Sequence, residues 1–344
     1  MSIISIDSWT ATTQSACPII RTNNIKILLP CDSALFQAPS AIKWAELLNK
    51  GHQICMPSLN LSAQPVNIPR VTNSIDTLGI DGILCIIRLR ISEDYYRLLP
   101  QSGSQSLEFQ FVPWHTFAND SHAKLTQELV VDVINSYQEI LGSVNPNSMA
   151  LWHNLCIMLT ADLRIFEIGA GCIGPIKARK ALENIATWTQ SSAARRSILH
   201  AAQTFKLVSN RRVSDGDPLH SSYRLFSAAL VLSLYVFMAA PQYEEDEGST
   251  FELTDDVDWV HIGKEGITPD INDYTDDAAV KFIRNGGSYS ISGVVHNHGY
   301  QSARRVLLDF IHLLDNVGKW RVDRYTRVLR IMSDALVEEE VVEQ

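Results

Sequence analysis

The spacing of apolar residues between about Ser121 and Ala240 constrains the fold of this chain more than any other feature. Across residues 124–141 an apolar or aromatic side chain recurs at every fourth position. The recurring residues are Leu125, Leu129, Val133, Tyr137 and Leu141. This period places all of them on one face of an α-helix. The segment therefore predicts a long amphipathic helix that buries one side.

The same pattern continues downstream and predicts four more helices. They cover 147–168, Pro175 to about 189, the residues after a cap at Ser192, and the apolar run 225–240. The last run has 16 residues, fewer than the ~20 that a membrane-spanning helix needs, so we interpret it as a buried core helix and expect no membrane association. The predicted fold class is all-α, a multi-helix domain with an irregular N-terminal part and an acidic loop before the last helices.

Composition divides the chain into four predicted parts. These are an irregular and partly helical N-terminal part (1–120), a helical core (121–242), an acidic linker (243–272) and C-terminal helices (273–344). Residues 243–262 hold eight of the chain's 38 acidic residues and no Lys or Arg, so this segment supplies most of the net charge of −9. The charge therefore does not exclude a nucleic-acid partner for the remaining chain.

The acidic segment also carries apolar residues between its carboxylates. They are Tyr243, Phe251, Leu253, Val257 and Trp259. This alternation is typical of disordered activation segments of transcription regulators, and a plain solvated linker is the alternative interpretation.

The spacing of the six cysteines bears on metal binding. Cys17, Cys31, Cys55, Cys85, Cys156 and Cys172 form no C-x-x-C pair, whereas structural zinc sites use ligands two to four residues apart. The pair His296-x-His298 has no second ligand pair near it. We therefore predict no metal site and interpret the cysteines as reduced thiols.

One glycine motif raises the possibility of an enzyme. Gly169, Gly171 and Gly174 in RIFEIGAGCIG satisfy G-x-G-x-x-G, which resembles the first motif of S-adenosylmethionine-dependent methyltransferases. However, Ile165 and Phe166 continue a helical face, and no strand ending in an acidic residue follows ~20 residues later. We therefore favour a corner between two helices, expect no catalytic or cofactor-binding residue, and keep the methyltransferase as an alternative.

Several long blocks carry a resemblance to a known family. They are LWHNLCIMLTADL (151–163), GPIKARKALENIATWTQSSAARRSILHAAQTFKLVSNRRVSDG (174–216), LHSSYRLFSAALVLSLY (219–235) and PCDSALFQAPSAIKWAELL (30–48). Together they resemble the fungal-specific transcription factor domain, the helical regulatory region of fungal zinc-finger regulators. The branch they are most similar to has fingers of the two-Cys, two-His type.

The resemblance implies a transcription regulator that acts in the nucleus in RNA polymerase II transcription. It implies protein partners in the transcription machinery, a homodimer or an effector pocket among the helices, and no enzymatic activity. Zinc belongs to the finger module of the family, which this chain lacks, so DNA binding is expected only if that module is supplied elsewhere. We therefore expect the C-terminal portion of such a factor, a divergent paralogue or a truncated gene product. A helical scaffold without a transcriptional role remains a third alternative.

The resembling blocks contain the residues to which we assign structural or regulatory roles. We interpret Trp152 and Trp188 as apolar anchors, and His153 and His200 as core histidines. The basic pairs Arg195-Arg196 and Arg211-Arg212 have two interpretations. In the first, they form a nuclear-import or nucleic-acid patch. In the second, which we favour, they pair locally with carboxylates such as Asp215 or help to close helix ends.

Overall fold

The fold is all-α, as the sequence predicted. The computed structural model describes residues 2–13, 17–25, 31–52, 54, 77–98, 117, 119–143, 146–211, 221–239, 250–267, 276–296, 299–317 and 322–343. The helices in these ranges are α1 (Ser2–Thr13), α2 (Ser33–Phe36), α3 (Ala41–Asn49), α4 (Thr77–Leu98), α5 (Ser121–Ser143), α6 (Pro146–Thr160), α7 (Leu163–Gly169), α8 (Pro175–Thr189), α9 (Ser192–Ser209), α10 (Ser221–Met238), α11 (Trp259–Ile262), α12 (Ala278–Asn285), α13 (Tyr300–Val317) and α14 (Asp323–Glu343). A 3-10 turn covers Thr22–Asn24.

Helix α10 forms the centre of the core. It packs against α9 on one side and against α13 on another, while α6 packs between α9 and α4. By length and composition alone α10 could cross a membrane, but 83% of its residues are buried inside the protein. The apolar run 225–240 is therefore largely a core helix, as we expected.

The N-terminal part is more regular than the sequence predicted. Helix α4 runs for 22 residues and is buried on nearly every side, including Arg88 and Arg90, and α1 packs against it. The prediction of an irregular and partly helical segment holds in its helical part, and α1 and α4 are helices that it did not locate. A helix that is buried all round shows no polar face, so its sequence lacks the amphipathic period on which the prediction depended.

Two helix boundaries also differ from those predicted. The helix expected over 147–168 breaks at Ala161, because the Asp162 side chain accepts a hydrogen bond from the Arg164 amide and caps a separate helix, α7. The cap of α9 is Ser191 rather than Ser192, since the Ser191 hydroxyl accepts from the Ala194 amide.

The described part of the acidic segment is folded. Strand β1 (Phe251–Glu252) lies parallel to β2 (Tyr289–Ile291), which pairs antiparallel with β3 (Val294–Val295). Leu253 and Trp259 are buried, and Asp258 caps α11. The prediction of a solvated linker was therefore wrong for residues 250–262, because their apolar side chains pack into the core while most of their carboxylates remain outside. Residues 243–249 and 268–272 of the predicted linker lie outside the described ranges.

Candidate functional site

The glycine motif forms a corner between α7 and α8. RIFEI lies in α7, which ends at Gly169, and Gly174 precedes Pro175 in the first turn of α8. Gly171 and Gly174 have φ values of +86° and +99°, which favour glycine because other residues rarely adopt them. A nucleotide loop follows a strand, and here a helix takes that place. The predicted helix corner is therefore confirmed for Gly169, Gly171 and Gly174.

Three of the predicted residues meet in one buried polar chain. His153 and His200 face each other with their Nδ1 atoms 2.8 Å apart, and Arg196 donates from Nε to His200 Nε2 at 3.2 Å. Because this bond occupies the Nε2 lone pair, His200 carries its proton on Nδ1 and donates it to His153. His153 in turn is protonated on Nε2.

Burial keeps both histidines neutral. Desolvation, followed by the nearby charge of Arg196, lowers the pKa of His153 to about 3. The same two causes hold the pKa of His200 well below its usual range, and His153 adds to them. Neutral imidazoles match the donor–acceptor chain, since a protonated ring cannot accept. These residues are core histidines, as we interpreted them.

Arg196 and Trp259 join the acidic segment to this polar chain. The Arg196 Nη1 group donates to the carbonyls of Gly263, at 2.9 Å, and Glu265. The Trp259 ring stacks on His200 with centroids 4.2 Å apart and an interplanar angle of 15°. Trp152 closes the cluster and donates from Nε1 to the Val130 carbonyl at 2.9 Å. We name these residues, Trp152, His153, Arg196, His200 and Trp259, the histidine–tryptophan cluster.

Arg195 closes a helix end. Its guanidinium donates to the carbonyls of Ile283 at 2.7 Å and Arg284 at 2.6 Å, which lie in the last turn of α12. This is the interpretation we favoured, and burial of Arg195 and Arg196 leaves neither available for a surface patch.

The remaining predicted residues lie elsewhere. Trp188 is buried and donates from Nε1 to the Thr160 carbonyl at 2.8 Å, which agrees with an anchoring role. Arg211 is partly buried beyond the end of α9, whereas Arg212 and Asp215 lie outside the described residues. The structure therefore does not test the second basic pair.

Sequence reasoning missed a pocket beside α7. It encloses about 60 Å³ between α4, α6 and α7, and its polar residues include Tyr95, Asp162, Arg164 and Glu167. We name it the Asp162 pocket. The Tyr95 hydroxyl lies 3.0 Å from each carboxylate oxygen of Asp162, and the Tyr223 hydroxyl donates to Glu167 Oε1 at 3.2 Å.

Burial changes the charge balance of this pocket. Desolvation raises the pKa of Asp162 to about 6, although Arg164 and the Tyr95 hydroxyl act in the opposite direction. Desolvation also raises the pKa of Glu167, against the effect of the Tyr223 hydroxyl. Because burial removes hydration from both carboxyl groups, a ligand that carries a positive charge would stabilise their ionised form.

Metal ligands do not gather in the part of the chain that the structure describes. Within it, no group of three or more His, Cys, Asp and Glu residues is arranged to hold a metal ion. His296 is buried, and His298 lies outside the described residues.

Comparisons with known proteins identify no relative. No protein-family model, curated protein or solved structure matches this chain.

Proposed function

We propose that this chain is a regulatory domain of a transcription regulator that works in the nucleus through protein partners or an effector. The observation that carries the proposal is the position of the resembling blocks. The blocks 151–163, 174–216 and 219–235 supply most of α6, α8, α9 and α10, which pack against one another. Three of the four resembling blocks thus build one helical core, whereas the block 30–48 forms α2 and α3, and α3 has no buried residue.

The Asp162 pocket adds support, because a regulatory domain that answers to a small effector needs a concave site among its helices. The methyltransferase alternative is weakened, since its glycine loop is a helix corner. The activation-segment hypothesis is also weakened for residues 250–262, because Leu253 and Trp259 are held in the core and are not free to meet a partner.

A tethering experiment tests the proposal. The full chain is fused to a heterologous DNA-binding domain, and output is measured from a reporter with intermediate basal activity, so that activation and repression are both visible. We expect a change relative to the bare DNA-binding domain. The matched control is Leu230→Asp, which places a charge at the buried centre of α10 and should abolish the effect. Output equal to that of the bare domain would reject the proposal and favour a scaffold.

A further inference from the structure

We propose that the Asp162 pocket binds the ammonium end of a small alkylamine. The inference deepens the proposed function, since it names the effector class of that regulatory domain, but binding can be measured without any transcriptional readout.

The volume of the pocket sets the size of the ligand. About 60 Å³ corresponds to roughly four to six water positions at ~10–15 Å³ each. This space holds an ammonium group with a few methylenes. It is too small for a nucleoside or an S-adenosyl group, and a longer chain would extend through the mouth.

The walls of the pocket suit an alkyl chain that ends in a cation. Ile91, Met158 and Leu163 supply an apolar surface. Tyr95 and Tyr96 also line the pocket, and their rings pack edge to face with centroids 5.3 Å apart. Aromatic faces attract an organic cation, so the apolar and aromatic surfaces fit the two ends of the same ligand.

The carboxyl groups supply the counter-charge. Glu167 accepts the Tyr223 hydroxyl at Oε1, and a carboxylate has room for several donors. Asp162 already accepts from Tyr95 and from the Arg164 amide, so it contributes mainly charge. An ammonium group with three donors would therefore bind Glu167 directly and face Asp162 through space.

Two arginines are the cations nearest these carboxyl groups. Arg164 lines the pocket: its Nη2 lies 3.7 Å from Asp162 Oδ2, its side chain is 34% exposed and its Nε is buried. Arg324 acts on Glu167 only through its charge, and it lies on the exposed side of α14. Because Arg164 already stands beside Asp162, the proposed ammonium is placed on the Glu167 side of the pocket.

Calorimetric titration of the full chain with 1,4-diaminobutane tests the proposal. The matched probe is 1,4-butanediol, which has the same length and no charge. One charge-assisted hydrogen bond of ~1.5–3 kcal/mol corresponds to ~10- to 100-fold in affinity. We expect saturable diamine binding that is at least ~10-fold tighter than diol binding.

Two variants assign the binding to this pocket. Glu167→Gln keeps the shape of the side chain and an acceptor for Tyr223 but removes the charge, so we expect ~10-fold weaker diamine binding. The control Glu183→Gln removes an exposed carboxylate on α8 and should change nothing. Circular dichroism checks that each variant is folded.

Three results would overturn the proposal: no saturable diamine binding, equal binding of diamine and diol, or unchanged binding by Glu167→Gln. If that variant does not fold, the comparison of diamine with diol on the unaltered chain still decides. None of these results affects the tethering experiment, because reporter output through protein partners does not require the amine.

Discussion

Replacing Trp259 by alanine should unfold the described acidic segment from the core. The Trp259 side chain is 4% exposed and packs on His200, His153 and Trp152, at centroid distances of 4.2, 5.1 and 5.4 Å. A buried tryptophan removes roughly 200 Å² from water, which at ~25 cal/mol per Å² corresponds to about 5 kcal/mol. Because the unfolded chain already buries part of that area, we expect the free energy of unfolding to fall by about 3–5 kcal/mol.

Urea denaturation of the full chain, monitored by tryptophan fluorescence and circular dichroism, measures the change in the free energy of unfolding. The matched control is Val260→Ala, at the neighbouring position in α11. Val260 is 41% exposed, so this substitution should lower the free energy of unfolding by less than about 0.5 kcal/mol. Limited proteolysis should cut the Trp259→Ala variant within 250–267 faster than the unaltered chain. A difference of less than about 1 kcal/mol between the free energies of unfolding of the two variants would contradict a packed segment and would indicate a linker over residues 250–262.

Three further predictions concern other parts of the fold. Gly266→Ala should lower the free energy of unfolding by at least about 1 kcal/mol more than Gly171→Ala does. Both glycines have positive φ, but a Cβ on Gly266 would lie 2.9 Å from the Ser192 carbonyl oxygen, whereas a Cβ on Gly171 would face open space. Burial acts to raise the pKa of Glu252, yet hydrogen bonds from Thr254, Ser290 and the turn at 292–293 outweigh it and lower the pKa to about 2. The stability that Glu252 contributes is therefore fully present above about pH 4.5 and is lost as the pH falls towards 2. The urea midpoints of Glu252→Gln and of the unaltered chain should converge over that pH range. A difference between the midpoints that stays constant with pH would contradict the lowered pKa of Glu252. Titration with S-adenosylmethionine should give no saturable heat, and micromolar binding would restore the methyltransferase alternative.

The sequence predicted those helices whose apolar residues recur on one face. Three features could be predicted because each depends on local geometry: the helical face of α5, the proline at the start of α8 and the glycine corner at 169–174. The break at Asp162 was missed, since the apolar spacing continues through it and only a capping side chain separates α6 from α7.

The missed features depend on contacts between distant residues. Nothing local distinguishes Trp259 in an acidic segment from an exposed residue, because its burial is fixed by His200, which is 59 positions away in the sequence. The Asp162 pocket combines Tyr95 with Glu167, and a single sequence does not show which side chains converge. Arg195 and Arg196 were recognised as helix-closing candidates, but their carbonyl partners at 263–284 could not be identified from spacing alone.

The location of the tagged full chain in the cell of origin tests the proposed transcriptional role directly. Imaging with fractionation shows whether it enters the nucleus and is recovered with chromatin. We predict a nuclear signal, and recovery in the chromatin fraction that is lost in the fold-disrupting Leu230→Asp variant. A chain that stays entirely outside the nucleus would contradict a transcriptional role and favour a helical scaffold.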